Sequence, residues 1–173
     1  MRPIIFQSLI LIFVIQFQML MAPYFQVLEL KPNWVVLVLI HFSLKSSQRQ
    51  LPVLGMLSGL CFDAISHGII GVYGISFMLM VLYVQWLSTW FYSNSILFTM
   101  LAVFIISMVE GSIGLTLIKL LEPEISWSWS LSHKILPVSL FHALAAPLVF
   151  QVVTQLEKMF LRSRHYNGHI SPS

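Results

Sequence analysis

The sequence predicts an all-α membrane protein, a single domain built as a bundle of about six transmembrane helices. Of 173 residues, 58% are hydrophobic and 9% are charged. A soluble domain needs about 25% charged residues to cover its surface. The mean hydropathy is +0.88. Apolar segments follow one another along the whole chain, separated by short stretches carrying charge, Pro, Gly or Ser.

The first segment, Ile4 to Ala22, follows Arg2. It is longer than the apolar core of a secretory leader, and Pro23-Tyr24 stands where a small-x-small cleavage pair would be, so an uncleaved first span is expected. The second, Trp34 to Leu44, follows Lys31-Pro32-Asn33 and falls short of the roughly 20 residues that a span requires. It has to borrow from Phe25 to Leu30, lie obliquely, or form a re-entrant pair with the third. The third, Leu51 to Ser66, carries the stretch around which the chain is organised. Gly55, Gly59 and Asp63 recur every fourth residue, which puts them on one stripe of a helix. Two glycines on a stripe admit another helix backbone at close range, and a carboxylate on the same stripe then faces protein rather than lipid. Gly68, Gly71 and Gly74 suit a tight connection to the next helix.

The fourth segment runs from Val72 to Tyr92, the fifth from Ser95 to Leu121 and the sixth from Ile135 to about Leu156. Between the last two lies Glu122-Pro123-Glu124, then Ile125 to Leu131, in which Ser alternates with Trp127, Trp129 and other apolar residues. A free strand cannot sit in hydrocarbon and Trp favours the membrane–water boundary, so an extracytoplasmic interfacial segment is expected here. Residues 1–160 form the expected membrane domain, and 161–173 a basic, polar tail expected to be cytoplasmic and disordered. With six spans, Arg2, Lys45, Arg49, Lys158, Arg162 and Arg164 share one side, against Lys31, Lys119 and Lys134 on the other. This bias predicts that both termini are cytoplasmic.

The net charge of +3 sits in loops and the tail, which is no nucleic-acid signature. Cys61 is the single cysteine and excludes an internal disulfide; within an apolar helix it reads as a small packing residue. No Gly-x-Ser-x-Gly or His-Glu-x-x-His motif occurs, no cofactor motif is present, and no pair of His or acidic residues has the spacing of helical metal ligands. These absences argue against an enzyme.

His41, Asp63, Glu110 and His142 are the ionisable residues inside apolar segments. A charge at the bilayer centre costs about 2.5–3.5 kcal/mol on insertion scales, so these side chains should face the bundle and find partners. Asp63, Glu110 and His142 are expected to converge in the outer half of the bundle, with His41 apart near the inner end. Such a group is either an ion or proton site or a polar contact that fixes helix packing. For Asp63 the bland alternative is a carboxylate near a helix end that reaches water, and for the two histidines packing is the stronger expectation.

Lys31-Pro32-Asn33-Trp34 opening a short apolar segment, the basic loop from Lys45 to Gln50, Gly55-x3-Gly59-x3-Asp63, and Gly68-x2-Gly71 resemble the bacterial rod shape-determining MreD family. The length, the six segments and a carboxylate in the fifth also fit, although Asp would be expected there as readily as Glu110. The resemblance covers most of residues 1–160. It implies a non-enzymatic subunit of the cell-elongation complex in the inner membrane. It further implies the bitopic protein MreC as partner, with MreB, RodA and a class B penicillin-binding protein in the larger complex. A second copy of the chain and membrane lipids are further partners to consider. It also implies a fold similar to the substrate-binding subunits of energy-coupling-factor vitamin transporters, which makes small-molecule uptake the alternative function.

Overall fold

A computed structural model describes residues 2–25, 32–45, 48–66, 69–88, 95–121 and 129–162. Among these all the regular secondary structure is α-helical. The helices are α1 (Arg2–Phe25), α2 (Trp34–Lys45), α3 (Leu51–Ser66), α4 (Val72–Ser88), α5 (Ile96–Leu121) and α6 (Trp129–Arg162).

Helix length divides them into two groups. α1, α5 and α6 are long and apolar enough to cross a membrane. With 12 residues in α2, 16 in α3 and 17 in α4, these helices reach about 18, 24 and 26 Å, short of the roughly 30 Å hydrocarbon core. The arrangement compensates for the shortness of α2, which touches all five other helices. Every residue from Val35 to Ser43 is buried, and Val35, Val36, Leu37, Leu39 and Ile40 are at 0% exposure. A helix apolar on all faces is one that is enclosed on all faces. Lipid meets the outer surfaces of the long helices instead, where Phe13, Leu20, Leu97, Leu101, Leu144 and Leu148 are exposed.

α3 and α4 form the tightest pair, and α5 and α6 the next. Phe77, Met80, Val81 and Val84 of α4 fill the core against α2. Lys45 at the end of α2 pairs with Glu157 of α6 and ties the two at the bundle end that also holds the start of α1.

The structure revises several sequence expectations. Phe25 belongs to α1, so α2 borrows nothing from it; residues 26–31 lie outside the described part. The second half of the Ser/Trp segment, expected to be interfacial, is the start of α6. Trp129, Ser130 and Leu131 are helical, because a Ser/Trp alternation fits the first turns of a helix once later residues propagate it. Residues 125–128 are outside the described part. α6 also continues through Leu161 and Arg162, past the expected start of the tail, and accommodates Pro137 and Pro147 within its length. α4 is described only to Ser88 rather than Tyr92.

Candidate functional site: two helix starts inside the bundle

A helix that begins within hydrocarbon meets a specific difficulty. Its leading N–H groups have no intrahelical partner, and no water is there to receive them. α2 and α4 both begin against buried residues of the bundle, Pro32 and Val35 at one start and Val72 and Gly74 at the other, and the sequence motifs lie where the partners are supplied.

At α4, Asp63 supplies the partner from α3. One carboxylate oxygen accepts the amides of Gly71 at 2.9 Å and Gly74 at 3.2 Å; the other accepts Tyr73 at 3.1 Å. The Val72 amide turns back to the Ile69 carbonyl at 3.3 Å, and the Gly71 carbonyl accepts the Ile75 amide at 2.9 Å. Asp63 is 1% exposed. It is therefore an N-cap delivered from the preceding helix, and its negative charge sits at the positive end of the α4 dipole. This excludes the reading in which Asp63 simply reaches water.

The glycines explain how Asp63 comes so near. A Cβ on Gly59 would lie under 3.0 Å from the Tyr73 carbonyl and the Gly74 nitrogen, a distance real Cβ atoms do not show. Only glycine lets α3 touch the first turn of α4. Gly55, one turn earlier, faces Phe77 and Val81, with the Val81 side chain 3.1 Å from where a Cβ would be. Gly71 adopts φ +102°, which L side chains rarely adopt, and so makes the turn into α4. Gly68 lies outside the described residues.

At α2 the partners come from three helices. Asn33 caps its own helix, its side-chain oxygen accepting the Val35 amide at 3.1 Å. Gln18 of α1 brackets the motif: its oxygen accepts the Trp34 amide at 2.9 Å, and its NH2 donates to the Pro32 carbonyl at 2.7 Å. The Asn33 amide donates to His142 Nε2 of α6 at 2.8 Å. Because Nε2 accepts, it carries no proton, so His142 is the neutral Nδ1–H tautomer and donates to Ser107 Oγ of α5. The Trp34 ring sits edge-on between Phe17 and Phe141, with centroids 6.4 and 5.8 Å away. Pro32-Asn33-Trp34 is thus the junction of α1, α2, α5 and α6.

Measured along their helices from Leu51, Ile96 and Lys158, Asp63, Glu110 and His142 lie about 18, 21 and 24 Å in. They share a level without sharing a site. Glu110 is half-buried and accepts weakly from Ser76 Oγ at 3.4 Å. The expected convergence of the three is corrected to three separate hydrogen-bond sets, because Asp63 and His142 are each consumed by a different helix start. His41 lies at the other end of α2, edge-on to Phe150 at 4.8 Å. Among the described residues no group of three or more His, Cys, Asp or Glu could hold a metal ion.

Sequence reasoning passed over Gln18 and Ser107. Scattered Gln and Ser in an apolar run carry no periodic signal, and only the fold brings Gln18 to Pro32 and Trp34.

A shallow groove of about 480 Å³ lies on the outside of the α4–α5 pair, lined by Leu79, Met108, Val109, Ile113 and Leu117 with Ser112 and Thr116. Both hydroxyls turn back onto their own helix, to the carbonyls of Met108 and Ser112 at 2.8 Å, so the groove presents an apolar surface.

The motif residues that cap α2 and α4 fall within a family match. The family model for the rod shape-determining protein MreD covers residues 1–160 of the chain. The chain belongs to the MreD family. No curated protein and no solved structure matches it. Membership in MreD gives the chain a role in rod-shape determination and associates it with the rod-shape complex in general. Its three helices long and apolar enough to span agree with a membrane protein. The residues matched include Pro32, Asn33, Trp34, Gly55, Gly59, Asp63, Glu110 and His142.

Proposed function

We infer that this chain is a non-enzymatic scaffold and regulatory subunit of the cell-elongation complex in the bacterial inner membrane. In this reading it binds MreC and, through the larger complex, MreB, RodA and a class B penicillin-binding protein. Both its termini are cytoplasmic, residues 1–160 are its membrane domain, and it uses no cofactor.

One observation carries the reading. Asp63 and His142, the most deeply buried ionisable residues among those described, are both committed to capping helix starts. Groups so engaged hold a bundle in one arrangement; they are not poised to exchange protons or ligands. The family supports the same conclusion. The apolar groove on α4–α5 supports binding through a lateral, membrane-embedded surface. The uptake alternative gains less support, since α2 fills the centre of the bundle where a transported molecule would need room.

The test is affinity capture of the tagged chain from detergent-solubilised membranes, with partners identified by mass. Co-purification of MreC at comparable abundance is expected. Recovery of a transporter ATPase and its membrane coupling subunit instead would overturn the assignment.

A further inference from the structure

The end of the bundle that holds the start of α1 has polar atoms that the capping networks do not use. Gln7 of α1 is 5% exposed and His41 of α2 is 7% exposed. Gln7 Oε1 and His41 Nε2 have no hydrogen-bond partner among the described residues. A buried polar atom left unpaired costs about 1–3 kcal/mol, so two in one place call for an account.

Register places them in one seam. Gln18 and Gln7 are about three helical turns apart on α1 and share a face; Gln18 meets the start of α2, so Gln7 faces its end. On α2, Trp34, His41 and Lys45 share a face by the same geometry, and each meets α6: Trp34 at Phe141, His41 at Phe150, Lys45 at Glu157. Phe6 stacks against Phe160 at 4.9 Å, which sets Gln7 level with that part of α6. Register therefore sets Gln7 at the level of the Lys45–Glu157 pair, about one turn, roughly 5 Å, below His41.

We propose that the seam between α1, α2 and α6 binds an ordered internal water that joins Gln7 Oε1 and His41 Nε2 to the Lys45–Glu157 pair. The chemistry suits water. Gln7 Oε1 only accepts, His41 Nε2 accepts or donates, and Lys45 has spare N–H groups, so one molecule finds the two to four partners an internal water takes. Access is also provided, because the side chain of Lys45 is 47% exposed. The site lies at the opposite end of α2 from the capped motif and does not depend on the proposed function.

Radiolytic hydroxyl-radical labelling in oxygen-18 water tests this on the intact chain in detergent, since bound water labels the side chains it touches. His41 should take up the isotope several-fold more than Phe77, which is buried at 0% exposure in the dry core. Gln7→Leu should cut the His41 label several-fold while labelling at exposed residues elsewhere is unchanged. If His41 is as inert as Phe77, or if Gln7→Leu leaves its label intact in a folded protein, the water site does not exist. Gln7→Asn, which keeps the acceptor, should retain part of the label and separates lost water from lost fold.

Discussion

His142 and Asn33, 109 residues apart in sequence, meet at 2.8 Å, the imidazole accepting the backbone amide that opens α2. The contact assigns a buried histidine to backbone capping, the imidazole standing where water would receive the amide of an exposed helix start.

Removing that acceptor strands the Asn33 amide and the Ser107 hydroxyl together. His142→Leu should lower stability by about 1–3 kcal/mol, the cost of buried polar groups left unpaired. Gln18→Leu should cost a similar amount, because the Trp34 amide and the Pro32 carbonyl lose their partner. Thermal unfolding in detergent measures both. A variant of either kind with wild-type stability would show that the cap is not formed.

The two glycines of α3 should differ sharply. Gly59→Ala pushes a methyl group into the α4 backbone, which cannot yield, and should cost about 1–3 kcal/mol with a fall in membrane level. At Gly55 a Cβ would stand 3.1 Å from the Val81 side chain and 3.2 Å from the Phe77 carbonyl oxygen, which a shift of a few tenths of an ångström relieves, and Ala gains about 1 kcal/mol in helix propensity, so Gly55→Ala should cost clearly less than Gly59→Ala. Equal effects of the two changes would contradict the observed α3–α4 geometry.

Asp63 offers a three-way comparison. Asn keeps one carbonyl oxygen, sufficient for the Gly71 and Gly74 amides, but turns an NH2 toward the Tyr73 amide and removes the charge at the helix start. Asp63→Asn should therefore be partly active and Asp63→Leu inactive in restoring rod shape to cells lacking the protein. The observation against this account is an Asn variant as defective as Leu when both are present at normal membrane level. That pattern would point to a proton or cation role and revive uptake.

Orientation is tested independently. A reporter that is active only when exported should be silent at either terminus and active when inserted between α5 and α6. Activity at a terminus would reverse the assignment made from the Lys and Arg distribution.

Much of the architecture was legible because punctuation and hydropathy agree. Leu51 to Ser66 was bounded by a basic loop on one side and glycines on the other, and α3 occupies that range. The start of α6 was not legible: Ser-Trp-Ser-Trp has a two-residue period, and the helix is imposed by the apolar run downstream. At the site, the Gly55, Gly59, Asp63 spacing indicated a shared stripe, and the structure adds that the carboxylate is spent on α4. The pairing of His142 with Asn33 and Ser107 has no local signature, since it depends on how α2, α5 and α6 cross. Gln18 left no usable trace, because Ser8 and Gln16 place polar side chains on other faces of the same helix.

The seclusion of α2 bears on how the protein is made. A 12-residue helix is too short to be recognised as a span when it emerges from the ribosome, and its last capping partner, His142, is still unsynthesised. At roughly 5–20 residues per second, the 109 residues that separate them take about 5–20 s to translate. Over that interval the amide of Asn33 has no partner on α6. The segment must therefore wait at the membrane surface or beside the insertion machinery, and settle between its neighbours only when the C-terminal hairpin arrives. Nascent chains arrested before α6 should present this unfinished centre to quality-control proteases, so biosynthesis of the bundle is completed from its last helix inward.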